Sequence, residues 1–311
     1  MKRFAGIYGA VFLAMIFWSF SFIWFKIANE TFLPLTIVFF RLAISVLVLT
    51  AFILLTGTNV KIKKEDRKLF FLLALFEPFL YFLGESFGLT YVSATVGSVL
   101  ISTIPIFATL GARIIFKEKL RAINYFGIIL SFFGVLVFIL NRNGTLSFSI
   151  KGILLLTFAV FSAVGYNLTL SRLVGTYSPL FIVNIQNTIG AFLFLPIFLI
   201  SDFNRFINTS FSVRSFIPII ELSLFASCGG FILFAYSVRK IGVSKSSVFT
   251  NCIPILTAIF SFVILGDKLT FQKIFGMLIV IAGLFMSQIN KREKKREKKI
   301  ESAFVLTGKT A

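Results

Sequence analysis

Apolar and polar residues follow one another along this chain in long blocks. Apolar runs close to the ~20 residues that cross a bilayer are separated by short polar links. The runs predict membrane helices over residues 4–28, 33–56, 69–90, 94–116, 122–140, 151–173, 178–200, 215–236, 243–265 and 271–289. The predicted fold class is therefore an all-α integral membrane protein with ten transmembrane helices.

The lysines and arginines indicate how these helices are oriented. Cytoplasmic loops carry an excess of basic residues, so the basic link "KIKKEDRK" and the basic tail 291–311 are placed inside. We therefore expect a multi-pass protein of the cell (plasma) membrane with both termini in the cytoplasm. This placement accounts for the net charge of +19, and no nucleic-acid partner is expected.

The chain also contains an internal repeat. "SVLISTIPIF" at residues 98–107 matches "SVFTNCIPIL" at 247–256, and "FKEKL" at 116–120 matches "LGDKL" at 265–269 with the same spacing. The repeats occupy residues 1–140 and 151–290, each with five predicted helices. An odd number of crossings turns the second copy over, which gives two inverted five-helix repeats. Such repeats are typical of secondary transporters with a binding site at the repeat interface.

The repeated unit resembles a known family. The stretch "SATVGSVLISTIPIFATLGARIIFKEKL", its copy "GVSKSSVFTNCIPILTAIFSFVILGDKL" and the early "FFRLAIS" are similar to the drug/metabolite transporter superfamily, specifically EamA-type ten-helix permeases. The similarity covers about residues 5–290. It implies a secondary active transporter, more often an exporter, that moves small metabolites such as amino acids by alternating access. The motif "FEP" in the third helix departs from many relatives, and the motifs do not specify the substrate.

Two prolines lie at equivalent places in the repeat, Pro105 and Pro254. A proline inside a helix frees the carbonyl four residues earlier and kinks the helix. We expect kinked helices whose polar side chains line a cavity, or, as the alternative, polar residues that only pack together. The candidates are Ser98, Ser102, Ser247 and Asn251.

The third predicted helix carries two acids, Glu77 and Glu85, with Pro78 and Tyr81 between them. Ionisable residues inside a membrane are expensive and mark functional sites by default. We predict that Glu77 binds a substrate amine or carries a proton, with a structural hydrogen bond near the Pro78 kink as the alternative. Glu85 is predicted to contact Arg41 of the second helix, directly or through water.

Two further residues are candidates for the cavity wall. Trp18 lies in the middle of the first helix, where it faces the cavity, faces lipid or packs in the protein core. Asn167 lies at a comparable depth in the sixth helix, and a lipid-facing amide would be costly.

Glycines seven residues apart, Gly127 with Gly134 and Gly276 with Gly283, favour close helix packing. They serve either to hold the monomer together or to join a homodimer.

Other classes of function remain as alternatives. An integral membrane enzyme acting on lipid-linked substrates would need a cluster of catalytic groups, and a passive channel would need rings of like groups along a pore. The sequence has no histidine and no phosphate-binding glycine loop ending in Lys-Ser or Lys-Thr. We expect no enzyme activity, no cofactor and no metal, and as partners a small molecule, a coupled proton and membrane lipid, including anionic lipid at the tail.

Overall fold

The computed structural model describes residues 2–56, 61–107, 122–139, 149–210 and 212–287. Within these ranges every regular element is a helix, and no strand occurs. The apolar helices are α1 (Gly6–Asn29), α2 (Pro34–Thr56), α3 (Lys64–Tyr91), α4 (Ala94–Phe107), α5 (Ala122–Val137), α6 (Ile150–Leu173), α7 (Pro179–Ser201), α8 (Val213–Ile241), α9 (Lys245–Leu265) and α10 (Phe271–Ser287). A short helix, Phe203–Ile207, follows α7.

Seven of these helices, all except α4, α5 and α10, are long and apolar enough to cross a membrane. The prediction of an all-helical membrane protein is confirmed, and each predicted apolar segment overlaps one of the helices. The largest differences at the described ends are the start of α3, five residues earlier than predicted, and the end of α8, five residues later. The predicted end of the fourth helix, the link after it and the tail 291–311 lie outside the described residues.

Helices from the first half of the chain pack mainly against helices from the second half. The principal pairs are α5 with α10, α3 with α6, α2 with α7, and α1 with α8 and α9. Because each half finds its partners in the other, a space between the halves is bounded by both.

The closest of these pairs, α5 and α10, meets through glycine. A Cβ built on Gly127 would lie 2.6 Å from the carbonyl oxygen of Gly283, and a Cβ on Gly283 would lie 2.6 Å from that of Gly127. A Cβ on Gly134 would lie 2.6 Å from the backbone nitrogen of Val280. These glycines therefore allow α5 and α10 to pack closely within one chain. Their contacts do not support a homodimer.

We expect Gly283→Ala to destabilise the protein, because the new methyl group would force two backbones apart. Overpacking costs typically about 1–3 kcal/mol, and thermal unfolding in detergent measures it. Gly9→Ala is the matched control, since a Cβ there meets nothing within 4 Å. Equal melting temperatures for the two variants would contradict this account of the α5–α10 contact.

Several helices are irregular near the middle of the bundle. In α3 the turn Leu75–Leu80 is π-helical, and Glu77 leaves helical geometry with φ −149° and ψ 118° directly before Pro78. In α4 the helix is interrupted at residues 102–103, before Pro105. In α9 a 3₁₀ turn, Phe249–Cys252, precedes Pro254. Each of these three prolines thus lies beside a break in the regular backbone. Proline has no backbone N–H to donate, and its ring clashes with the carbonyl group four residues earlier.

Side chains tie the two halves together at both ends of the bundle. At one end the Tyr177 hydroxyl donates to Asp66 Oδ2 (2.7 Å) and accepts from the backbone N–H of Lys63. Burial and the hydrogen bond to Asp66 raise the pKa of the Tyr177 phenol, which stays a donor. At the other end Asp202 accepts from the backbone N–H of Thr36 (3.0 Å), in the first turn of α2. A carboxylate at that position satisfies a free N–H and complements the helix dipole.

Candidate functional site

A cavity lies between the two halves near the irregular turns. The space that it leaves for the centres of water molecules is about 60 Å³. Helices α1, α2, α3 and α4 supply one wall, and α6, α8 and α9 supply the other. The lining residues are Trp18, Ser21, Phe22, Arg41, Glu77, Tyr81, Phe82, Glu85, Ile101, Ile104, Ala163, Tyr166, Asn167, Phe231, Phe234, Ser247, Thr250 and Ile253. A largely apolar pocket with a few polar groups is typical of small-molecule sites.

The cation of the cavity is Arg41, on α2. Its Nε donates to the Ser227 hydroxyl (2.6 Å), and its guanidinium carbon lies 4.1 Å from the centre of the Phe82 ring. Its interaction with Glu85 is electrostatic over a longer range. Arg41 and Glu85, which were predicted to contact each other, thus line the same cavity. The close contacts of Arg41 are with the Ser227 hydroxyl and the Phe82 ring.

Ser227 reaches Arg41 from the π-helical part of α8, Leu222–Gly230. The neighbouring backbone is held by Asn187 of α7, whose Nδ2 donates to the Ser227 carbonyl (3.2 Å) and to Ser45 Oγ (2.7 Å). Ser45 in turn shares a hydrogen bond with Cys228 Sγ (3.0 Å). This buried network joins α2, α7 and α8, so it fixes the direction of the Arg41 side chain.

Glu85 and Tyr81 form a second polar unit on α3. One helical turn separates them, and the Tyr81 hydroxyl donates to Glu85 Oε1 (2.8 Å). The carboxylate of Glu85 therefore has a protein donor as well as the electrostatic attraction of Arg41.

Glu77 is the carboxylate without such support. It is 7% exposed, and among the described residues no hydrogen bond to its carboxylate is recorded. It interacts electrostatically with Glu85 and Arg41 along α3 and α2, and with Tyr166 on α6. Glu77, in the break of α3, and Glu85, in the regular helix that follows, both line this cavity.

The opposite wall is polar but uncharged. The Tyr166 hydroxyl lies 3.4 Å from Gln186 Oε1 on α7. Asn167 Oδ1 and Ser247 Oγ are buried without a hydrogen-bond partner in the described part of the protein. Buried polar atoms normally have partners, and these two atoms, which are closed off from solvent, have none among the described residues. The residues described here include no group of three or more His, Cys, Asp or Glu side chains that could hold a metal.

Most of the predicted candidates share this cavity. Those that line it are Trp18, Arg41, Glu77, Tyr81, Glu85, Asn167 and Ser247. Their roles in substrate binding stay predictions.

Ser98, Ser102 and Asn251 do not line the cavity. Ser98 and Ser102 donate to the carbonyls of Thr95 and Val99 in their own helix, and both are fully buried. The break at residues 102–103 presents Ile101 and Ile104 to the cavity instead. Asn251 is 1% exposed in the 3₁₀ turn, which packs against α1 and α10, and neither atom of its amide has a partner among the described residues.

Sequence reasoning missed the partners of Arg41. Phe82 is one of 43 phenylalanines, and Ser227 lies in the stretch "FASCGG" of small residues. Neither residue stands out in the sequence, because the contact of Ser227 with Arg41 depends on how α2 packs against α8. In the same helix as Phe82, Gly84 and Gly88 face α6 rather than the cavity.

Comparisons with known proteins agree with this architecture. A family model described as "EamA-like transporter family" matches residues 5–140 and again residues 150–288. The chain is 28% identical to "Uncharacterized transporter YcxC" of Bacillus subtilis (strain 168), over 92% of this chain and 95% of the relative. It is 26% identical to an "Uncharacterized transporter" of Archaeoglobus fulgidus, over 88% of this chain and 95% of the relative. A solved structure described as "Crystal structure of protein" superposes with a TM-score of 0.68, at 13% identity, over 91% of this chain and 98% of the other, which is a likeness of fold.

Proposed function

Because this chain belongs to the EamA-like transporter family and is a multi-pass membrane transporter, we propose that it is a secondary active transporter of small metabolites. The observation that carries the proposal is the cavity lined by both halves of the chain, with three charged side chains inside a membrane protein. Intramembrane charges are costly and mark substrate or ion pathways.

The proposed architecture has ten membrane spans in two inverted five-helix repeats, residues 1–140 and 151–290. The repeated sequence supports it, as do the pairings of first-half with second-half helices. In this arrangement α4, α5 and α10 are the three shorter spans. A site at the interface of inverted repeats suits alternating access, in which one half rocks against the other.

The irregular turns at Pro78, Pro105 and Pro254 are the proposed flexing points. Each lies beside the cavity or in a helix that lines it, where freed backbone groups can meet water or substrate. Rocking about these irregular turns would open the cavity first to one side of the membrane and then to the other.

The transporter is placed in the cell membrane with both termini cytoplasmic. The basic link at 61–68 and the basic tail 291–311 support this orientation. The tail, outside the described residues, is proposed to contact anionic lipid at the inner surface. A homodimer remains a proposal without support from the glycine contacts.

The transported compounds are proposed to be small polar or amphipathic metabolites, with amino acids as the first class to test and export as the first direction. Glu77 is the proposed carrier of a coupled proton, because it is a buried carboxylate in the cavity.

Counterflow in proteoliposomes tests the function directly. The purified full chain should exchange labelled metabolite for the same unlabelled metabolite, and an imposed pH gradient should drive accumulation. Protein-free liposomes are the control. A reconstituted, folded protein that exchanges no member of a broad metabolite panel would contradict the proposal, as would accumulation that requires ATP.

A further inference from the structure

The charges of the cavity all come from one half of the chain. Arg41, Glu77 and Glu85 belong to α2 and α3, whereas the second half contributes no charged lining residue. One arginine shares the cavity with two carboxylates, and the hydrogen-bond partners of Arg41 and Glu85 are the neutral side chains of Ser227 and Tyr81. One carboxylate, that of Glu77, is left over.

Glu77 has the features of a binding group rather than a packing group. Its side chain is more than nine-tenths buried, it lines the cavity, and among the described residues no hydrogen-bond donor to it is recorded. A buried carboxylate normally has several donors, and leaving one unpaired is expensive. A ligand that carries its own N–H donors would satisfy it.

The cavity is also surrounded by aromatic rings. Trp18 packs on Phe231 (5.2 Å between ring centres) and on Phe234 (5.1 Å), and Tyr166 packs on Phe231 (5.9 Å). The faces of Trp, Tyr and Phe rings attract organic cations, most strongly where water is excluded. Apolar rings around a single excess carboxylate favour a cation with an organic body over a hydrated inorganic ion.

The far wall adds a neutral polar contact. Asn167 Oδ1 and Ser247 Oγ are both buried without partners in the described structure, and both residues line the cavity. An amide oxygen only accepts hydrogen bonds. The amide of Asn167 also carries two N–H donors, so a hydroxyl on the ligand, which both donates and accepts, suits this wall.

From these features we infer that the substrate is a small organic amine, bound as its ammonium form by Glu77, with a hydroxyl or similar polar group that faces the amide of Asn167. The ammonium is the recognised group, and a substrate carboxylate is dispensable because the cavity wall already holds two carboxylates and one cation. This inference rests on the proposed transport function and narrows its substrate class.

Three ligands that share one phenol ring test the charge. They are tyramine, an amine; tyrosol, a neutral alcohol; and 4-hydroxyphenylacetate, an anion. An aliphatic amine, 6-amino-1-hexanol, tests a second shape. Binding to the full chain in nanodiscs is followed by fluorescence of Trp18 in a Trp24→Phe background, and by competition against labelled tyramine. At least one amine should bind at least about tenfold more tightly than the alcohol and the anion. Equal or tighter binding of the alcohol or the anion, or no binding of either amine, would overturn the inference.

Two variants test which side chain binds the ammonium and which binds the hydroxyl of the ligand. Glu77→Gln should weaken amine binding at least about tenfold and leave tyrosol unchanged. Asn167→Ala should remove the advantage of tyramine over 2-phenylethylamine, which lacks the hydroxyl. Asn184→Ala is the matched control, since Asn184 binds Thr50 and does not line the cavity. An Asn184→Ala effect equal to that of Asn167→Ala would count against the assignment.

If Glu77→Gln fails to fold, the ligand series still tests the inference. It compares the binding of amine, alcohol and anion to protein in which Glu77 is intact. Counterflow separates this inference from the function on which it rests. A protein that exchanges neutral or anionic metabolites but no amine remains a transporter and overturns only the substrate class. A protein that exchanges nothing overturns the transport function itself.

Discussion

Glu77→Gln is expected to reduce transport by about 10–100-fold while the protein remains folded. The substitution keeps the shape of the side chain and removes its charge and its ability to carry a proton. A hydrogen bond to a charged group contributes about 1.5–3 kcal/mol, and each 1.4 kcal/mol is a factor of ten. Initial rates of counterflow measure the loss, and size-exclusion elution with a melting curve shows that the protein is folded.

Glu221→Gln provides the control for this substitution. Glu221 also lies in an apolar helix, at the end of the first regular part of α8, but it does not line the cavity. Its replacement should leave the transport rate within a factor of about two of the unmodified protein, because surface substitutions away from special features usually change free energies by less than 0.5 kcal/mol. Transport by Glu77→Gln that is unchanged across pH would leave Glu77 only a structural role.

Arg41→Met is expected to lower the free energy of unfolding by about 3–5 kcal/mol, because removal of one member of a buried charged group leaves the others uncompensated. Arg41 is 4% exposed and faces both Glu77 and Glu85. Methionine keeps much of the apolar stem, so the loss reports mainly on the charge. Unfolding of the purified protein in mixed micelles of increasing denaturant content measures the change.

A second substitution tests the cause. Arg41→Met combined with Glu85→Gln should recover part of the lost stability, because the double variant no longer buries an unbalanced Glu85. Arg172→Met, at an exposed position near the end of α6, should change the stability by less than about 0.5 kcal/mol. If the double variant is less stable than the sum of the single effects predicts, Glu85 does not depend on Arg41 for its burial.

The architecture was largely predictable because a bilayer allows few solutions. Backbone groups in lipid must be satisfied within the segment, so an apolar run of spanning length becomes a helix whatever its detailed composition. Each of the ten apolar runs accordingly contains a helix. Ends were less certain, since polar residues such as Lys64 and Glu65 can extend a helix into the interface.

The site was less predictable because side-chain direction depends on local backbone. Glu77 lies in the non-helical turn before Pro78, so helical periodicity does not give the direction of its side chain, and it shares one cavity with Glu85. In α4, likewise, Ile101 and Ile104 line the wall and the two predicted serines do not. A proline in the sequence predicts that a helix is irregular, but it does not give the rotation of the residues that follow.

The glycine contact between α5 and α10 has a consequence for how the protein is made. Gly127 and Gly134 face Gly283 and Val280, which the ribosome adds only after it has made α6 to α9. The α5 surface is therefore without its native partner until α10 has been synthesised. During that interval lipid or an insertion factor must occupy it, and the closing of α10 onto α5 is a late step of biogenesis that joins the two halves.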